Sequence, residues 1–168
     1  MHRPLALVLL LAASRAVAAV FLVATVEDAA RTSDAVVRGR VERHASRLGE
    51  GGRIVTDVEL AVTSAWKGQP GARVTVTIPG GQVGDRGAWV DAAPVFEDGE
   101  EVVVFLARRP AGWGVNGLAL GKLRVAGRTA LPGVDRADVR EAPVRAGEAR
   151  LDEPLSVEEL ERRVRAAR

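Results

Sequence analysis

From Arg53 to Trp66 the chain puts an apolar or small side chain at every second position. Ile54, Thr56, Val58, Leu60, Val62, Ser64 and Trp66 share one side, while Asp57, Glu59 and Thr63 share the other. A helix would scatter these residues around its axis, so a period of two over this length specifies a half-buried strand. A straight strand here would run to about 45 Å at roughly 3.3 Å per residue. Strands of that length curl, so this one is expected to bend midway or to serve two parts of a barrel.

Other segments repeat the pattern. Arg73 to Ile78 alternates, with Val74, Val76 and Ile78 inward. Ala35 to Arg43 places Val37, Gly39 and Val41 on one face, and Gly39 inside a strand predicts a bulge or bend. Glu101 to Ala107 is apolar on both faces, which places it centrally. Ala88 to Val90 is expected as a short strand, and Trp113 to Val115 with Leu118 to Val125 as a further hairpin. His44 to Gly52 reads as a hairpin-type connection, while Lys67 to Gly71 and Asp98-Gly99 read as turns.

Two helices frame these strands. Thr25 can cap a short helix that runs to Arg31, with Glu27 and Asp28 at its positive end. Near the C-terminus Ser156 and Glu159 match a capping box, and Leu155, Leu160 and Val164 then fall on one face. No strand–helix–strand crossover unit occurs. The expected architecture is mainly β: an antiparallel, OB-like closed or partly closed barrel with a short N-terminal helix and a C-terminal helix. A β-sandwich is the alternative.

The chain has 168 residues, enough for one domain with a core. Residues 1–19 read as a signal peptide. Arg3 opens it, Leu5 to Ala13 is apolar, and small residues close it at Ala16 and Ala18. The alternative is an uncleaved membrane anchor, since Val20 to Val26 is apolar again. Against it, Arg15 would cost about 2.5–3.5 kcal/mol near the centre of a spanning helix. Residues 20–127 are expected to form the barrel. From Gly127 the composition turns to Arg, Pro, Ala and Glu without period, so residues 128–168 read as an extension, poorly packed to about 153, that ends in the helix.

The sequence therefore points to a secreted or periplasmic protein with no stable membrane anchor once the leader is cleaved. With no cysteine, disulfides, thiol chemistry and lipid attachment fall away. Removal of Arg3 and Arg15 leaves 22 basic against 22 acidic residues, so a nucleic-acid partner is not expected. Only Lys67 and Lys122 are lysines.

Several short motifs recur together: Ser33 to Val41, the long strand to Trp66-Lys67-Gly68, Pro79-Gly80-Gly81, Gly84, and Pro94 to Glu100. Over about residues 25–125 the chain resembles a group of secreted bacterial β-barrel proteins of unknown function. The first strand and its leading helix also resemble the OB-fold domain of tissue inhibitors of metalloproteinases and netrin modules. That second resemblance implies an OB-fold and protease inhibition. Those inhibitors chelate the protease zinc through an N-terminal cysteine, and this chain has none, so only the fold carries over.

The connection from Pro79 to Phe96 is the candidate site, because loops beyond about 12–15 residues are uncommon and often functional. Gly80, Gly81, Gly84, Asp85, Arg86, Trp89 and Phe96 are the candidate ligand-binding residues. No Gly-Lys-Ser/Thr ending follows, so a phosphate cradle is not expected. Trp66, Trp89 and Trp113 raise the idea of a stacking platform, but Trp66 sits on an apolar face and reads as core. His44 has no companion nucleophile in sequence. Glu97, Asp98, Glu100 and Glu101 read as solvated turn residues.

No catalytic residue, metal ligand or cofactor is expected. The function expected is a binding module for a protein partner such as a co-secreted hydrolase. The alternatives are a hydrolase using Asp85, Asp91 and Glu97, and a purely structural envelope protein.

Overall fold

A computed structural model of the chain describes residues 21–22, 24–134, 139–140 and 144–167. The expected signal segment, residues 1–19, lies outside them. In chain order the elements are β1 (Phe21–Leu22), α1 (Val26–Thr32), β2 (Ala35–Leu48), β3 (Ile54–Lys67), β4 (Arg73–Pro79), β5 (Gly81–Val83) and β6 (Arg86–Ala88). There follow β7 (Glu101–Arg109), β8 (Gly112–Val115), β9 (Lys122–Ala126), β10 (Thr129–Pro132), β11 (Val139–Arg140), β12 (Leu155–Ser156) and α2 (Val157–Ala166). Short 3-10 turns occupy Glu50–Gly52 and Leu118–Gly121.

The fold is mainly β with two helices, and its large sheet is mixed and partly closed into a ring. The ring runs β7–β2–β3–β4–β8 and back to β7. Closure between β4 and β8 is parallel, at Val76 opposite Trp113. The β1–β11 pair is parallel too. The expectation of a purely antiparallel sheet is corrected on these two pairings.

β7 is the junction. One edge pairs with β2 from Ala35 to Arg40. Its other edge is divided: Val102–Val104 pair with β9, and Leu106–Arg109 pair with β8. Trp113–Val115 and Leu118–Val125 therefore do not form the hairpin expected between them. β9 pairs instead with β10, and β10 with β12.

Two apolar cores result. Val37, Val41, Val58, Leu60, Val76, Val102, Val104 and Leu106 fill the ring. Val36, Trp66, Val103, Phe105, Leu123, Ala130 and Leu151 pack outside it with Val26 of α1 and Leu160 and Val164 of α2. β7 separates the two, which is why both its faces are apolar. β3 serves both, with Val58 and Leu60 in the ring and Trp66 outside. The composition break at Gly127 is not a packing break: Ala130 and Leu151, in the stretch read as poorly packed, are buried.

Both helices are capped as their sequences require. The Thr25 hydroxyl accepts the Asp28 N–H at 3.1 Å, and the Ser156 hydroxyl accepts the Glu159 N–H at 3.1 Å. The Glu159 carboxylate does not complete the box; it accepts from Arg162 and Arg163 instead. No helix among the described residues is long and apolar enough to cross a membrane.

β2 and β3 pair over their whole length, with register shifts at Val36/Val37, Arg38/Gly39 and Val41/Arg43. The bend expected at Gly39 is therefore a shift in register. A Cβ there would lie 2.6 Å from the Ala61 carbonyl oxygen, a backbone atom that cannot rotate away. The shift at Val41/Arg43 leaves Glu42 as the extra residue and reverses the faces beyond it. β2 then continues to Leu48 through residues that read as a connection, because its partner residues Ile54 to Val58 hold the ladder.

On the outer face Arg43 pairs with Glu59, Arg47 with Asp57 and Arg73 with Glu42. Asp57 also accepts from the Thr77 hydroxyl at 2.7 Å. Burial pushes the Asp57 carboxyl up, but the hydrogen bonds from Arg47 and Thr77 outweigh it and hold the group below its ordinary range.

Two outcomes follow from this geometry. Gly39→Ala forces β2 away from β3 and destabilises by about 1–3 kcal/mol in urea unfolding. Gly39→Ala without loss of stability contradicts the close approach. Asp57, with a lowered folded pKa, stabilises above the unfolded carboxylate value of about 3.9, and that contribution disappears as pH falls through the folded value. Asp57→Asn is thus less stable than the parent at pH 7, by under about 1 kcal/mol for so accessible a pair. The difference narrows below pH about 4, as thermal melts across pH would show.

Candidate functional site

The connection between β4 and β7 is fixed at several points along its length. At its start Gly80 donates its N–H to the Ile54 carbonyl at 3.0 Å. The Thr56 hydroxyl donates to the Gly80 carbonyl at 2.8 Å. Since the Thr56 proton is spent there, the contact of 2.9 Å between Ser46 and Thr56 has Ser46 as donor. The Ser46 oxygen in turn accepts the Gln82 N–H at 3.2 Å. This polar chain pins β5 against β2 and β3. Gly81 lies within it at φ 125°, where a Cβ would come 2.2 Å from the Ser46 oxygen and 2.3 Å from the Thr56 oxygen. Only glycine fits.

Further along, Ala92 sits at φ 66°. This left-handed conformation costs a non-glycine residue about 1–2 kcal/mol. It is held because the Ala92 carbonyl accepts the Ala119 N–H at 3.0 Å. Phe96 is buried in the ring core. The Gly99 N–H then bonds to the Val41 carbonyl at 2.8 Å, bringing the chain back to β2. Glu100 forms a buried ion pair with Lys122 on β9 and also accepts the Glu97 N–H at 3.2 Å.

Between the ring and this anchored loop lies a cavity of about 600 Å³. That falls within the roughly 300–1,000 Å³ of small-ligand sites. The strands contribute Val58, Ile78, Thr56, His44 and Ser46 to its lining. The loop contributes Gly80 to Gln82, Gly87 to Val90 and Ala93 to Phe96. Trp89 is 86% exposed and Val95 65% exposed, so the lining is apolar and partly open to solvent.

The structure brings Gly80, Gly81, Trp89 and Phe96 together around this cavity. It does not bring Gly84, Asp85 and Arg86 there. Gly84 and Asp85 form the two-residue turn between β5 and β6, and Arg86 begins β6 beside it. The short strand expected at Ala88 to Val90 lies earlier, at Arg86–Ala88. His44, Ser46, Thr56 and Gln82 were missed. No sequence pattern marks His44 and Ser46: the extra residue at Glu42 is a register shift in the pairing with β3, and it turns both toward the same side as Val41.

The tryptophans do not meet as a platform. Trp66 belongs to the outer core, Trp113 packs on the ring core under the Arg108 guanidinium, and Trp89 stands exposed. The carboxylates read as solvated turn residues are mostly engaged. Asp98 lies 2.7 Å from His44 Nδ1, Glu100 is buried against Lys122, and Glu101 accepts from Arg38 at 2.7 Å. This contact orients the His44 ring through Nδ1. Ser46 does not continue this pair into a triad, because its proton is directed at Thr56. Among the described residues no group of three His, Cys, Asp or Glu could hold a metal.

Gly81→Ala should push β5 off the Ser46–Thr56 pair. The measurable result is loss of amide-exchange protection at Gln82 and its neighbours, while β7 amides stay protected. Unchanged protection at Gln82 would show that the polar chain does not hold the loop.

No protein-family model matches this chain, and no curated protein matches it either.

Proposed function

We propose that this is a secreted or periplasmic binding module, built on an OB-like barrel, whose cleft under the 79–96 loop receives an apolar group of a protein partner. The fold reading is supported by the ring order β7–β2–β3–β4–β8 with its one parallel contact. Five strands closing in this way, with loops carrying the site, are the pattern of an OB-fold. The compartment is supported by the leader-like N-terminus.

The observation that carries the binding reading is the exposed set Trp89, Val90 and Val95 around the cavity. A contiguous apolar patch on a water-soluble surface marks an interaction site. Here it sits on a loop fixed by the Ser46–Thr56 chain, by Ala92 and by Phe96, so little ordering cost attends binding. Hydrolysis by Asp85, Asp91 and Glu97 draws no support, since none of them lines the cavity. A co-secreted hydrolase remains the kind of partner proposed.

Trp89→Ala is the test. Truncation of a central tryptophan typically costs 2 kcal/mol or more in binding. Its exposure predicts a change in stability within about 0.5 kcal/mol. Partner recovered from culture medium or periplasm by the tagged protein should therefore drop at least tenfold with an unchanged melting temperature. Equal recovery by parent and variant would remove the cleft from the function.

A further inference from the structure

We infer that the occupant of this cleft is an extended peptide segment of the partner, carrying a bulky apolar residue flanked by basic ones, which adds as a strand to the open edge of β6. This rests on the binding reading above and gives it a ligand class.

The edge follows from the hairpin register. Val83 and Arg86 flank the two-residue turn, so they form the hydrogen-bonded pair that closes it. The next pair, Gln82 and Gly87, then directs its backbone groups outward. On the β5 side this is visible, because the Gln82 N–H leaves the hairpin and reaches Ser46. On the β6 side the Gly87 N–H and C=O face away from β5, and among the described residues β6 pairs with no other strand. Gly87 lines the cleft, and a Cβ built on it meets nothing closer than 4.0 Å. A backbone can therefore come up to it. A peptide strand needs a donor and an acceptor side by side, with an apolar recess for alternate side chains. Gly87 and the cleft supply both.

The charge of the loop selects the flanks. From Gly80 to Glu100 there are five acids, Asp85, Asp91, Glu97, Asp98 and Glu100, against one base, Arg86. Lys122 neutralises Glu100 and His44 engages Asp98. Asp85, Asp91 and Glu97 are exposed and form no ion pair among the described residues. Asp85 is matched by its neighbour Arg86 at the hairpin tip away from the cleft, so the acidic excess of the loop rests on Asp91 and Glu97, which directly follow the lining residues Val90 and Phe96 in sequence; this favours cationic segments and disfavours acidic ones.

The experiment uses the full exported chain and defined probes. One probe is a capped peptide with a central phenylalanine, a valine on each side and two lysines at each end. A second is the same peptide N-methylated at the central residues, and a third replaces lysine with glutamate. Neutral N-phenylnaphthylamine reports occupation of the cleft. The lysine peptide should displace the dye, bind at least tenfold more tightly than either other peptide at low salt, and weaken as salt rises while dye binding does not. Dye binding with all three peptides within twofold of one another overturns the extended-peptide assignment and leaves the cleft reading standing. Neither dye nor peptide binding removes both. Sedimentation showing a dimer that excludes the dye makes a second copy the occupant and also overturns the assignment.

Discussion

The two apolar faces of β7 hold the rest in place. Val102, Val103, Val104, Phe105 and Leu106 are all fully buried, alternately toward the ring and toward the helices. Burying a side chain of this size contributes about 1.5–3 kcal/mol relative to exposure. The run therefore contributes on the order of 10 kcal/mol, comparable with the whole net stability of about 5–15 kcal/mol of a typical domain. Because both faces are sealed, β7 can neither slide nor rotate. Its edges are then free to organise the sheet: β2 on one side, and β9 and β8 sharing the other. That fork allows one strand to close the ring and also start an outer layer.

A single extra residue makes the site. Up to Val41 the odd positions of β2 face the ring and are oily. Past Glu42 the even positions face it, and they are His44 and Ser46. Without the shift, Arg43 and Ala45 would point inward and the salt bridge between Arg43 and Glu59 would be lost from the outer face. The ring core thus ends where the strand continues, and the space beyond is roofed by the 79–96 loop. The Ser46–Thr56–Gly80 chain is buried polar structure of the satisfied kind: each hydroxyl donates once, in a fixed order. It fixes the loop and directs the Ser46 hydroxyl at Thr56.

How much of this the sequence discloses depends on whether one face stays oily. β3, β4 and β7 are legible residue by residue, because Ile54 to Leu60, Val74 to Ile78 and Val102 to Leu106 keep their period against a continuous core. The caps at Thr25 and Ser156 are legible because their chemistry is local. The far half of β2 is not, since a bulge resets its phase and its inward residues are polar. β10 and Leu151 are hidden for another reason. They bury few large side chains and are held by pairing to β9 and by the underside of α2, contacts distant in sequence. The loop announced itself by length and glycine content. Which of its residues would converge depended on the Gln82–Ser46 contact, which no spacing reveals.

The outer layer and the cleft are joined by the pair of Lys122 and Glu100, both nearly inaccessible. A buried ion pair is a poor source of stability, because desolvation of both charges offsets their attraction. Loss of either partner, however, strands the other charge at about 3–5 kcal/mol. The pair therefore acts as a constraint on geometry. Glu100 is additionally tied to the Glu97 N–H, and Lys122 Nζ lies 5.4 Å from the centre of the Phe96 ring, close enough for a cation–π contact. Phe96 in turn is part of the cleft lining. Phe96 thus touches the cleft, the ring core and the Lys122 ammonium of β9 at once. The far end of the loop is thus tied to the outer layer through Glu100 and Lys122 as well as to the ring core through Phe96, and the recess lies between those two attachments.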